Sequence, residues 1–164
     1  MVVIRVVAHQ SAWREEFVTL GRVIREALGD LALRIDHIGS TSVPGLAAKD
    51  RLDVQITVES LCSPVEQALN RVGYIRLENL TEDRVPLANP RQAGDWSKWV
   101  FRPPAGQRPT NLQVRVAGRA NQRYALLFRD YLRAHPGAAA AYGQVKQVIA
   151  QHHGDNFDAY YALK

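Results

Sequence analysis

Cysteine is almost missing from this sequence. Cys62 stands alone, so no intrachain disulfide can form, and no Cys/His spacing suggests a zinc site. Long apolar runs are missing too, so no segment is expected to cross a membrane. The opening stretch 1–7 lacks the longer apolar core and cleavage site of a signal peptide, and a cytoplasmic location is the expectation. Charge of one sign is not concentrated anywhere. The formal net charge of +5 favours anionic partners, but the basic residues are spread along the chain and neither require nor exclude nucleic acid. No repeat, linker or composition break appears, so 164 residues are expected to form one domain, residues 1–164.

What is present centres on two adjoining stretches. Asp36-His37-Ile38-Gly39-Ser40-Thr41-Ser42-Val43-Pro44-Gly45 reads as a strand end running into a turn of glycines and small hydroxyl residues. Glycine leaves backbone N–H groups uncovered, and successive N–H groups with Ser and Thr donors make an anion-binding concavity. The second stretch, 52–58, alternates strictly. Leu52, Val54, Ile56 and Val58 fall on one face, Asp53, Gln55 and Thr57 on the other. A strand with an apolar back and a polar front is a plausible site floor.

Taken in order, the β-branched residues 2–7 predict a first strand. Ser11 is placed to cap a helix whose apolar face is Trp13, Phe17, Leu20, Ile24 and Leu28. Ser63-Pro64-Val65-Glu66 reads as a capping box, and its helix ends at Gly73. A short strand at 74–77, a long surface loop at 79–96, and strands at 96–102 and 111–116 follow. The last third is helical. Tyr124, Leu127, Phe128 and Tyr131 make one stripe and His135-Pro136-Gly137 breaks it. Ala138, Ala141, Tyr142, Val145, Val148, Ile149 and His152 make a second, before a short helix holding Phe157, Tyr160 and Tyr161. The fold class is therefore α+β: a mixed sheet floored by 52–58 and 111–116, helices packed on one side, and a helical C-terminal cap.

The run His-Ile-Gly-Ser-Thr-Ser-Val-Pro-Gly-Leu-Ala-Ala-Lys at 37–49 resembles the signature of the GrpB family of small bacterial proteins. The Trp13/Phe17 pair, the segment 128–136, Tyr142 and Lys146 resemble it as well, so the likeness covers nearly the whole chain. That family is assigned to the polymerase-β-like nucleotidyltransferase fold. A related domain is fused to dephospho-CoA kinase in some bacteria, which leaves an accessory role open beside an enzymatic one.

The resemblance implies particular site residues. Nucleotidyl transfer on this fold uses two divalent ions held by three carboxylates, two on one strand separated by one residue and a third on a neighbour. Asp53 fits the first position, Gln55 stands at the second and Gln113 at the third. Where the family pattern usually reads Leu-His-Val, this chain has Leu112-Gln113-Val114. One carboxylate with two amides is a poor cage for two cations, unless Asp36 or Asp50 reaches the same face. Three readings stay open. Asp53 holds a single Mg²⁺ that enters only with a phosphorylated ligand. Alternatively, Gly39, Ser40, Thr41, Ser42, Lys49, Gln55, Gln113 and Arg115, with Arg102 and Arg108 nearby, bind a nucleotide or other phosphorylated small molecule without turnover. Or Asp53 and the Gly-Ser turn are structural. His37 has a structural reading, as a strand-end residue, and a functional one, between Asp36 and the hydroxyl-rich turn, as a hydrogen-bond donor to a phosphate oxygen or a general base; Asp53 is the other catalytic candidate.

Overall fold

Trp13, Ile24 and Leu28 recur on one side of a helix that begins after Ser11, and all three are buried. They set the apolar layer against which the sheet is built. The computed structural model describes residues 3–85 and 94–163. In chain order the elements are α1 (Ala12–Leu28), β1 (Arg34–Ile38), β2 (Leu52–Val58), α2 (Ser63–Arg71), β3 (Ile75–Arg76), β4 (Trp99–Arg102), β5 (Thr110–Val116), α3 (Ala120–Ala134), α4 (Pro136–His153) and α5 (Phe157–Leu163). The α+β class is as expected. Five strands form one mixed sheet in the order β1-β2-β5-β4-β3, with only β2 and β5 parallel.

Alternation gives the sheet two unlike faces. Leu52, Val54, Ile56 and Val58 of β2 lie beside Leu112 and Val114 of β5 and Phe101 of β4, in one cluster with the buried side chains of α1 and α2. The other face carries Asp53 opposite Asn111 and Gln55 opposite Gln113. It too is covered: Gln55 Nε2 donates to the Gln122 carbonyl of α3, and Arg129 of α3 reaches the His37 carbonyl of β1. Helices therefore lie on both faces, not on one side as the sequence suggested.

The polar layer explains why the first C-terminal stripe faces outward; of the second, Ile149 is buried and Ala138 and Tyr142 pack against Val43 and Leu46. In α3 the buried residues are Asn121, Gln122 and Leu132, whereas Tyr124, Phe128 and Tyr131 are exposed and Leu127 is 67% exposed. In α4 the buried set is Ala139, Gly143, Lys146 and Ile149, and Val145 and Val148 face outward. Packed over the amides of the sheet, α3 turns its own polar side inward, since buried polar groups need partners, whereas α4 sets Ala139 and Gly143 against Val43 and Leu46 and sends Lys146 to Ser40.

Other expectations change in detail. Residues 3–7 form no strand, only a bridge between Val7 and Ala48, and Ile4 N–H donates to the Gly154 carbonyl instead of to the sheet. Residue 2 lies outside the described residues. Ser11 has helical dihedrals and makes no side-chain cap. Cys62, not Ser63, takes the position before α2, and Glu66 pairs with Arg76 at 3.0 Å in place of closing a capping box. In the 79–96 loop, Glu82 bridges Ser97, while residues 86–93 lie outside the described residues. No helix among the described residues is long and apolar enough to cross a membrane.

Candidate functional site

The turn after β1 takes its shape from Gly39. Its dihedrals, φ 69° and ψ −172°, are open essentially to glycine alone. A Cβ built there would stand 2.5 Å from Asp53 Oδ2, so the missing side chain is what lets the turn close onto β2. Ser42 then donates through both N–H and Oγ to the Gly39 carbonyl, and residues Ser40–Ser42 form one tight helical turn. This short turn is a partition. Ser40 lines a pocket over Asp53, Ser42 lines a groove on the far side, and Thr41 lines both.

The pocket over Asp53 is small, about 20 Å³, and strongly polar. Lys146 projects into it from α4, 2% exposed, donating to Ser40 Oγ at 2.7 Å and to the Ala47 carbonyl at 2.6 Å. Lys49 and Arg51 line it as well. Lys49 donates to the Tyr161 hydroxyl and sits 4.4 Å from the centre of that ring. Burial, reinforced by Arg51 and opposed by Asp53, lowers its pKa to about 8. Asp53 is the one carboxylate of the lining, and its Oδ1 accepts from Asn111 Nδ2 at 2.8 Å. Three cations around one carboxylate favour an anion.

His37 belongs to the other wall. It pairs opposite Val54, on the apolar face, and its ring stacks on Phe17 with 4.7 Å between centroids. Nε2 is 2.9 Å from Thr41 Oγ1. Burial lowers its pKa to about 4, against the pull of Asp53 and with Arg133 and Arg129 adding to the fall. The imidazole is therefore neutral at pH 7 and locked to Thr41, so it offers a phosphate no positive charge.

Gln55, Gln113 and Arg115 do share the polar face with Asp53, as alternation required, but they do not open onto the pocket. Gln55 is 0% and Arg115 4% exposed. Arg115 Nη1 donates to Gln55 Oε1 at 2.8 Å, its Nη2 to Gln113 Oε1, and its Nε to Asp83 Oδ2 at 2.9 Å. Lys98 bonds the same Asp83 carboxylate at 2.6 Å. Burial pushes Asp83 up, but Arg115 and Lys98 outweigh it and hold the carboxyl below its ordinary range. Arg115 thus serves this cluster and has no donor turned to a ligand in the Asp53 pocket. Arg108 is likewise committed, to Glu16 at 2.8 Å and to Asp50, and Arg102 sits opposite Ile75 at the β3 side of the sheet.

The donor set does not suit a two-metal centre. Among the described residues no three of His, Cys, Asp and Glu gather where they could hold an ion. Where the resemblance would place the second and third carboxylates, a guanidinium bridges two amides. Asp36 takes Arg34 and Asp50 takes Trp13 and Arg108, so neither joins Asp53. Sequence reasoning missed Lys146, Arg51 and Tyr160 as pocket residues. A lysine in the Ala139/Gly143/Lys146/Ile149 series was the available signal, but Ala138, Tyr142 and Val145 drew the face one residue away.

The family model for the GrpB protein matches residues 3–164. A dephospho-CoA kinase of Mycolicibacterium paratuberculosis is 39% identical over 175 residues, covering 98% of this chain and 43% of that protein. The chain thus spans less than half the length of that kinase. A UPF0157 protein of Halalkalibacterium halodurans is 32% identical, covering 91% of this chain and 70% of that one. Among solved structures, the conserved protein GrpB from Enterococcus faecalis superimposes with a TM-score of 0.76 at 30% identity, covering 95% of this chain and 88% of the other.

Proposed function

Since the chain belongs to the GrpB family, we propose that it binds a phosphorylated small molecule, nucleotides first among them, through the pocket of Ser40, Lys49, Arg51, Asp53 and Lys146. The observation that carries this reading is the lining itself. Lys49, Arg51 and Lys146 share it with Asp53 as its one carboxylate, and Lys146 donates to the Ser40 hydroxyl at the turn. A cavity of about 20 Å³ has room for little more than one water. It would receive phosphoryl oxygens while the rest of the ligand lies at its mouth. Any Mg²⁺ arrives chelated by the ligand's own phosphates, with Asp53 as the one protein carboxylate in the lining. Catalytic turnover is not part of this reading, because the second and third metal positions are amides tied to Arg115.

The names of the similar kinases put dephospho-CoA into the ligand panel and support a second reading, an accessory domain working beside a dephospho-CoA kinase. Calorimetry with ATP, ADP, dephospho-CoA and inorganic phosphate, with and without Mg²⁺, tests both. Saturable binding is expected, weakened roughly tenfold or more by Lys49→Ala through loss of a charge-assisted contact. Asp53→Asn should leave metal-free binding intact or tighter. Nucleotide transfer by the unmodified protein that disappears in Asp53→Asn would replace the binding reading with an active nucleotidyltransferase. Silence across the whole panel would sink the phosphate pocket.

A further inference from the structure

On the other side of the Ser40–Ser42 turn lies a much larger space. The groove between α1, β1 and α3 has a volume of about 580 Å³, within the size range of small-molecule sites. Phe17 and Val18 of α1, Ile35 of β1 and Pro44 give it apolar walls, and Arg14, Arg129 and Arg133 give it charge. We propose that this groove is a second ligand site, for a small organic anion with a flat apolar body that also carries a hydroxyl or amino donor. It is built from residues other than the cations and Asp53 of the phosphate pocket, so it stands or falls separately.

Three features define the ligand. Arg129 and Arg133 lie one turn apart on α3, and burial together with Arg129 lowers the pKa of Arg133. Arg133 spends Nε and Nη2 on the Ser42 carbonyl, and Arg129 lies 3.6 Å from Asp36. Asp130 also pairs with Arg129 at 2.7 Å and lies 4.0 Å from Arg133, but three guanidiniums against Asp36 and Asp130 still leave the groove positive, and an anion relieves that crowding. Asp36 supplies the second feature. It is 9% exposed, it lines the groove, and its buried Oδ2 finds no donor while Oδ1 accepts from Arg34. A buried carboxylate oxygen without a partner is costly, and a hydroxyl or amine on the ligand would satisfy it. Arg34, which holds Oδ1, has a side chain 57% exposed and is not part of the groove lining. Third, the apolar walls reward a ring system and gain nothing from a bare inorganic ion.

Anilinonaphthalenesulfonate has all three features, an aromatic body, a fixed negative charge and an amine donor, and its fluorescence reports transfer to an apolar site. Titration of the unmodified protein should show saturable one-site binding. Arg14→Glu reverses an exposed charge at the rim and should weaken it at least about tenfold. Val18→Trp, also at an exposed position, should fill the groove and abolish it. Leu127→Glu, on the exposed stripe of α3 outside the groove, and Lys49→Ala, in the phosphate pocket, should leave it unchanged. Absence of saturable binding overturns the proposal. So does binding that either groove variant leaves as it was, or that Leu127→Glu removes. The exposed Arg14 side chain makes no hydrogen bond among the described residues, so Arg14→Glu decides the matter even if Val18→Trp fails to fold.

Discussion

At one end of β2, Asp53 faces a pocket ringed by Lys49, Arg51 and Lys146. Two residues further along the same face, Gln55 lies under the α3 backbone with no exposure at all. Both positions come from one alternating strand, and both sit opposite a polar residue of β5. What separates them is the supply of partners. Around Gln55, each guanidinium nitrogen of Arg115 finds an acceptor in Gln55, Gln113 or Asp83, and Asn121 adds a bond to the Asp83 carboxylate. Around Asp53, cations outnumber the carboxylate. A polar strand face is thus a site only where its neighbours leave charge uncompensated; where they balance it, the face is core.

That contrast is broken most sharply at Arg115. Replacing it with Met would leave Asp83 with only Lys98 and Asn121, take the donor from Gln55 Oε1, and leave Gln113 Oε1 with the longer Lys98 contact at 3.3 Å. A loss of ~3–5 kcal/mol in chemical denaturation is expected, as for removing one partner of a buried ion pair. Phosphate binding by whatever fraction remains folded should be unchanged. A mild effect on stability, or a specific loss of phosphate affinity in a well-folded variant, would show that the two ends of the face act as one site.

The wall between pocket and groove responds to acid. His37 has its folded pKa lowered from 6.5 to about 4, so between those values the unfolded chain holds the extra proton. Stability therefore falls as pH drops through this window, by on the order of 3 kcal/mol from this group. His37→Gln keeps a partner for Thr41 and cannot take up the proton. Its denaturation midpoint should fall less steeply between pH 6.5 and 4 than that of the unmodified protein, and parallel curves would mean His37 is protonated in the fold.

Which of these distinctions could be read in the sequence follows from how local each one is. The alternation of 52–58 marks β2 to the residue, because a half-buried strand writes its period directly into the chain. Gly39, Ser40, Lys49 and Asp53 were legible as a group, since turn and strand are neighbours in sequence. Lys146 was not, because it meets Ser40 across 106 residues and lies on a helix read by its apolar stripe. Arg115 looked like a ligand arginine because Asp83, its partner, sits in a segment whose composition promised only a loop. The α3 face was misassigned because apolar periodicity identifies the core side of a helix only when the surface beneath it is apolar; in α4, Ala138, Tyr142 and Ile149 do reach apolar clusters, while close approach to Leu46 selects Ala139 and Gly143 over the larger Val145 and Val148.

The turn that divides pocket from groove can be sharpened by a single methyl group. Gly39→Ala puts Cβ against Asp53 Oδ2 and Cβ in a backbone region closed to other residues. It should cost ~1–3 kcal/mol from the backbone alone, with the contact adding to that. In an Asp53→Ala background the carboxylate clash disappears, but the dihedral strain and the contact with residue 53 Cβ, 2.8 Å in the present geometry, remain. The double variant should therefore recover part of the loss and not all. Full recovery would mean that the backbone at this turn carries no strain, and simple additivity would mean that the turn does not rest on Asp53.

The smallest effect concerns the open end of the face and identifies which cation the ligand uses. Lys49 has its pKa lowered from 10.5 to about 8, chiefly by burial. In the ligand-free protein the unfolded chain holds more protons between those two values, so the Lys49 contribution makes stability rise with pH across that window. Binding of an anion runs the other way. A phosphate in the pocket stabilises the protonated amine, so affinity should hold below about pH 8 and weaken above it, approaching about tenfold per pH unit if one proton is taken up on binding. Inorganic phosphate is the right probe, being already a dianion over this range. Lys49→Arg remains charged throughout, and its affinity should be flat from pH 8 to the alkaline end. Calorimetry in buffers of different ionisation enthalpy would count the proton directly. If the unmodified protein also gave a flat profile with no proton uptake, the phosphate would be held by Lys146 and Arg51 without Lys49.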